Sequence, residues 1–202
     1  MKTKTILITL TSLAAGAVFA FDPPPVGSAA PDFSLADAKG ETHSLSQYKG
    51  KYVVLEWFNP QCPFVKKHYG SGNMQKLQEQ YTSKDVVWLT INSSAPGTLG
   101  ALTPEQAEEK MTEWKTHETA LLLDSEGKAG RAYGAKNTPN MVVINPEGKI
   151  VYEGAIDNKA TPNPADIPSS TNYVKVALDE SLAGKPVTTS RTKPYGCAVE
   201  YK

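Results

Sequence analysis

The chain of 202 residues carries 21 Lys and Arg against 21 Asp and Glu, with 3 His and a formal net charge of zero. That balance, with no basic stripe and no block of like charge, excludes nucleic acid and an anionic membrane surface as expected partners. Its two cysteines, Cys62 and Cys197, are the minimum for one disulfide or one redox pair.

Residues 1–20 read as a signal peptide. Lys2 and Lys4 open it, Ile6 to Ala15 is an apolar run, and Val18-Phe19-Ala20 supplies a small-x-small cleavage site. The run is shorter than the roughly 20 residues that cross a bilayer. The expectation is an exported protein, periplasmic or secreted, with no membrane segment after cleavage; the alternative is an uncleaved amphipathic anchor. Removing twenty residues from 202 leaves 182, a single domain with room for a sizeable core. Losing Lys2 and Lys4 as well leaves 19 basic against 21 acidic side chains, a net charge of −2. In an oxidising compartment, two cysteines are candidates for a disulfide.

Phe21 to Ala30 reads as an extended leader, Phe33 to Leu35 as a short strand and Asp37 to Gly40 as a turn. Tyr52 to Phe58 is a nearly continuous β-branched and aromatic run, suited to a strand buried on both faces, and Val86 to Asn92 repeats the type. Between them, helical sequence from Pro63 is broken at Gly70-Ser71-Gly72 and resumes with Met74, Leu77 and Tyr81 on one stripe. Thr103-Pro104-Glu105-Gln106 is a capping box with proline in the first turn, which starts another helix. Leu121 to Leu123 is a strand, and Ser125 to Tyr133 a short helix ended by Gly134. Met141 to Ile144 and Ile150 to Glu153 flank Asn145-Pro146-Glu147-Gly148, a turn tetrad, and so form a hairpin. A Pro/Asn-rich loop over 155–169 precedes an amphipathic helix around Val174 to Leu182, closed by Gly184. This order predicts an α/β fold with a central mixed β-sheet flanked by helices. The domain spans 21–184, and residues 185–202 form a C-terminal tail carrying Cys197.

Cys62 follows a buried strand and begins a helix, in Trp57-Phe58-Asn59-Pro60-Gln61-Cys62-Pro63. Ligands bind at that edge of an α/β sheet. The positive end of a helix dipole and its unpaired N–H groups favour a thiolate there, and Lys66, Lys67 and His68 lie one turn on. The same position also suits an ordinary buried half-cystine.

That segment, with Thr138-Pro139 and the stretch from Gly148 to Gly154, resembles the thioredoxin superfamily, in particular its redoxin branch of peroxiredoxin-like and periplasmic thiol-disulfide oxidoreductases. The resemblance covers roughly residues 27–183. It implies a thioredoxin-like fold, a nucleophilic Cys62 and a cis Pro139 facing it. It also implies a substrate groove built from Trp57, Asn59, Pro60, Pro63, Thr138 and Pro139. Two departures are visible. Thioredoxins place a second cysteine three residues after the first, where this chain has Val65. Peroxiredoxins place Thr or Ser three residues before the cysteine and an Arg late in the fold, where this chain has Asn59 and, on alignment, Pro139. Arg131 is a candidate replacement cation, or a plain surface charge.

Cys197, in a tail with Tyr195 and Tyr201, has three readings. It is a resolving thiol, an unpaired thiol, or half of a structural disulfide to Cys62, a closure worth roughly 5 kcal/mol. His43, His68 and His117 read as solvated or capping side chains, and Trp57, Trp88 and Trp114 as core and groove wall. No phosphate loop or zinc-like spacing occurs, and neither a cofactor nor a metal is expected.

The leading expectation is an exported oxidoreductase in which Cys62, with Cys197 as its candidate resolving thiol, acts on a protein or small-molecule disulfide or on a peroxide, with an external thiol as reductant. The alternatives are a copper-binding module using Cys62, Cys197 and His68, and a redox-inactive binding or folding-assistance protein.

Overall fold

A computed structural model describes residues 22–202; the expected signal peptide lies outside the described residues. The chain forms β1 (Ser34–Asp37), β2 (Thr42–Ser44) and, after a 3-10 turn, β3 (Val53–Trp57). Then come α1 (Pro63–Gly70), α2 (Asn73–Thr82), β4 (Val87–Asn92), α3 (Pro104–Trp114), β5 (Ala120–Leu123) and α4 (Lys128–Ala132). The rest comprises β6 (Asn137–Thr138), β7 (Asn140–Ile144), β8 (Ile150–Gly154), α5 (Tyr173–Leu182) and β9 (Cys197–Ala198).

Seven strands make one sheet in the order β2-β1-β5-β4-β3-β7-β8. β3, β4 and β5 run parallel, β7 lies antiparallel on β3, and β1 antiparallel on β5. This is the expected mixed sheet. Its central strands β3, β4 and β7 are buried throughout and largely apolar because both faces are covered. Side chains alternate between faces. Val54 and Phe58 join Val65 and Tyr69 of α1, Met74, Leu77 and Tyr81 of α2, and Val174, Ala177 and Leu178 of α5. Val53, Leu55 and Trp57 point the other way, toward Phe33, Leu45, Tyr133 and Ala129 of α4. Each such side chain, fully buried, contributes roughly 1.5–3 kcal/mol.

Local signals set several boundaries. Gly72, in the left-handed region at φ 72°, caps α2 and accounts for the break after α1. Thr103 and Gln106 form the expected capping box with Pro104 in the first turn of α3. Asn145 and Gly148 close the β7–β8 turn through a 2.8 Å backbone bond. Three differences stand out. The helix expected from Ser125 starts only at Lys128, because Gly127 takes a left-handed conformation. The 155–169 loop contains a 3-10 helix, Pro164–Ser169. Residues 185–202 are docked along their length: Glu153 and Ser190, Glu153 and Thr192, Lys136 and Val199, and Ala95 and Glu200 all share backbone hydrogen bonds.

Candidate active site

β3 ends at Trp57, and Phe58 still donates to Ile91 of β4 at 2.9 Å. The chain then turns on Asn59. The Asn59 carboxamide accepts from the Gln61 amide at 2.8 Å and donates to the Leu99 carbonyl at 3.2 Å, and its backbone carbonyl accepts from the Cys62 amide at 3.0 Å. Cys62 is the extended residue capping α1, with Pro63 at the first helical position. The thiol therefore sits at the positive end of the α1 dipole, and the residue is only 1% exposed.

The Thr138–Pro139 peptide is cis. The Cys62 Sγ donates to the Thr138 carbonyl at 3.1 Å. Across from Thr138 lies the tail: β6 and β9 pair antiparallel, Thr138 with Cys197 and Asn137 with Ala198. The two cysteines, far apart in sequence, thus meet at one point, and both are free thiols. Cys197 is half-buried. Its thiol is pushed up to about 12, first by burial, then by its hydrogen bond to and electrostatic interaction with Cys62. Cys197 therefore keeps its proton at neutral pH.

Several anchors fix the tail there. The Tyr195 hydroxyl donates to Asp157, and its ring packs on Phe64 at 5.6 Å between centroids. Asp157 is also 3.3 Å from the Lys67 ammonium, with both side chains essentially inaccessible to solvent. Beyond Cys197, Glu200 accepts from the Leu99 amide at 3.0 Å, Tyr201 donates to the Ala135 carbonyl at 2.5 Å, and Arg131 donates to the Lys202 carbonyl at 2.7 Å. Arg131 thus holds the tail end.

Not every expected site residue lines the site. Trp57 is fully buried on the sheet face away from the Cys62 cluster, with its indole donating to Ser93 at 3.1 Å. Strand alternation puts it there, and it forms no groove wall. Asn59 shapes the turn and is 5% exposed. Pro60 and Pro139 are buried and Pro63 is exposed, all beside Cys62 in the chain or the fold. His68 is not solvated. It is wholly buried, its Nδ1 bonds Asn73 at 2.9 Å, and its Nε2 lies 3.8 Å from Asp157. It does not join the two cysteines as a third metal ligand. His43 is likewise buried, between Tyr48 and Asp37. Lys66 bonds Gln61 at 3.3 Å, while Lys67 turns inward to Asp157.

One buried acid lies outside the residues singled out from the sequence. Glu56, the fourth of the 5 residues of β3, is 0% exposed. Its carboxyl accepts from Tyr69 and from Trp88, each at 2.9 Å. Burial outweighs those bonds and raises it to about 8. The visible sign was a charged residue inside an apolar strand run.

Residues 26–153 match the family model described as AhpC/TSA family. A thiol-disulfide oxidoreductase ResA from Geobacillus thermodenitrificans is 29% identical over 125 residues, which is 62% of this chain and 66%, just under two-thirds, of that relative's length. An uncharacterized conserved protein from Geobacillus kaustophilus superposes with a TM-score of 0.75 at 28% identity, covering 88% of this chain and 93% of that one. The thioredoxin domain of a thiol-disulfide oxidoreductase from Bacteroides vulgatus superposes with a TM-score of 0.54 at 21% identity, covering 72% and 97%. That last likeness shows the thioredoxin-like fold.

Proposed function

The chain belongs to the AhpC/TSA family, and from that premise we propose that it is an exported thiol-disulfide oxidoreductase whose working pair is Cys62 and Cys197. The observation that carries the reading is the meeting of those two thiols over Thr138, one at a helix start and one on a docked strand. Cys62, as thiolate, attacks a disulfide R–S–S–R, forming Cys62–S–S–R and releasing R–S⁻. Cys197 gives up its proton and attacks the Cys62 sulfur, forming the Cys62–Cys197 disulfide and releasing the second R–S⁻. The substrate is reduced by two electrons and the protein oxidised by two; an external dithiol reverses the change. The raised Cys197 pKa favours this order, since the thiol that holds its proton is the poorer first nucleophile.

The disulfide is favoured over a peroxide as substrate. Asn59 stands where a peroxiredoxin carries Thr or Ser, and its carboxamide is committed to the Gln61 and Leu99 backbone. Export rests on the charged, apolar and small-residue order of residues 1–20, and on the need for a compartment in which a disulfide can persist. N-terminal sequencing of the secreted or periplasmic protein should begin at Phe21.

The test is non-reducing peptide mapping after one equivalent of a small disulfide. Wild type should yield the Cys62–Cys197 peptide, Cys197→Ser a mixed disulfide at Cys62, and Cys62→Ser neither. Exchange that survives in Cys62→Ser would refute the proposal.

A further inference from the structure

A peptide whose sulfur is to meet Cys62 has an edge to lie on. The backbone of β6 beside Cys62 accepts an extended strand, and the tail shows the resulting geometry: a cysteine opposite Thr138, brought to Cys62 by strand pairing. Adding a strand to an open edge is how extended polypeptides are commonly bound. One edge holds one strand, and β9 occupies this one.

The occupancy is built in. Gly196, at φ 123°, passes so close to β6 that a Cβ would run into the Thr138 carbonyl. Asn137 donates to the Gly196 carbonyl at 3.2 Å, Tyr195 is held by Asp157 on one side, and Val199 bonds Lys136 at 3.0 Å on the other. With the strap in place Cys62 is 1% exposed. A cleft of 310 Å³, lined by Pro60, Gln61, Lys66, Lys110 and Trp114, adjoins the loop that presents Cys62. That volume suits a small molecule rather than a chain segment.

We infer that the tail is a tethered occupant of the polypeptide-docking edge and makes Cys62 prefer low-molecular-weight disulfides to polypeptide ones. The inference rests on Cys62 being an exchanging thiol. Polypeptide disulfides react only when Tyr195–Ala198 leaves the edge. The step selected is the first one: Cys62–S⁻ attacks R–S–S–R, one S–S bond breaks, another forms, and R–S⁻ departs.

The experiment follows modification of Cys62 by quenched mass spectrometry in the reduced full-length protein, with oxidised glutathione and with scrambled ribonuclease. Wild type should strongly favour the glutathione disulfide. Gly196→Ala, which cannot seat the strap, should raise the ribonuclease rate about tenfold more than the glutathione rate, the equivalent of roughly 1.4 kcal/mol of docking. Tyr195→Phe, which loses only the hydroxyl held by Asp157, should move the ratio the same way by less and guards against a misfolded alanine variant. A rate ratio equal in all three proteins would overturn the strap. If neither probe modifies Cys62 in any of them, the exchange reading itself fails.

Discussion

Replacing Glu56 with glutamine should flatten the pH dependence of stability between about pH 6.5 and 8 in the reduced protein. The carboxyl is fully buried and titrates near 8 in the fold, against an ordinary 4.5. Between those values the folded protein holds a proton that the unfolded chain has released, so stability falls as pH rises, by up to about 1.4 kcal/mol per unit. His68 opposes this lower down. Burial depresses it from 6.5 to about 4, so the unfolded chain binds the extra proton there and stability rises with pH across that interval. His68 and the buried Glu118, whose carboxyl burial also raises, are common to wild type and Glu56→Gln, so the Glu56 effect stands alone in the difference between them. Wild type should then lose about 1.5–2 kcal/mol more than Glu56→Gln between pH 6.5 and 8. The glutamine side chain keeps the shape, can accept from Trp88 and can donate to the Tyr69 oxygen. Groups titrating higher, Cys197 and the buried tyrosines, are common to both proteins and drop out of the difference. Urea unfolding followed by circular dichroism at four pH values measures it. Parallel stability curves for wild type and Glu56→Gln would refute the reasoning.

Lys67→Met strands the Asp157 carboxylate inside the protein and should cost about 3–5 kcal/mol in urea unfolding, whereas Lys67→Met with Asp157→Leu should recover most of that loss. Additive losses would show that the pair is not coupled. Tyr195→Phe should slow closure of the Cys62–Cys197 disulfide, seen by stopped-flow quench, while leaving the first attack by Cys62 on oxidised glutathione near wild type; an unchanged closure rate would separate the Asp157 anchor from the site.

What could be read from the sequence was what short stretches decide. The apolar run of β3, the capping box of α3 and the Asn145–Gly148 turn are each specified within a few residues, and they fall where their patterns put them. The place of Cys62 at a helix start is equally local, since Pro63 sets it. β2, β6 and β9 have two or three residues each, too few to show a period. β6 and β9 exist because they find each other across the fold. The assignment of Trp57 to the groove failed on parity: the same alternation that buries Phe58 beside the Cys62 cluster sends Trp57 to the opposite face. Tail docking depends on matches between distant segments, such as the Thr192 backbone lying against Gly154 where a Cβ would collide. No window along the chain contains that match.

On the proposed Cys62–Cys197 pairing, Val65 explains why the second thiol comes from so far away. The position that holds the second cysteine in thioredoxins is here 1% exposed and packed into the core with Phe58, Tyr69 and Met74. The start of α1 is thereby committed to packing, and the partner sulfur must arrive on another element. Delivery by a strap has a thermodynamic consequence that a helix-borne pair lacks. If Cys62 and Cys197 bond as proposed, docking of Tyr195–Ala198 and formation of that bond stabilise each other by the same free energy, because linkage is reciprocal. Whatever loosens the strap lowers the effective concentration of Cys197 at Cys62 and makes the disulfide easier to reduce. Asp157, Lys67 and Glu200 anchor the strap, and on the proposed mechanism they would bear through it on the redox poise of the pair.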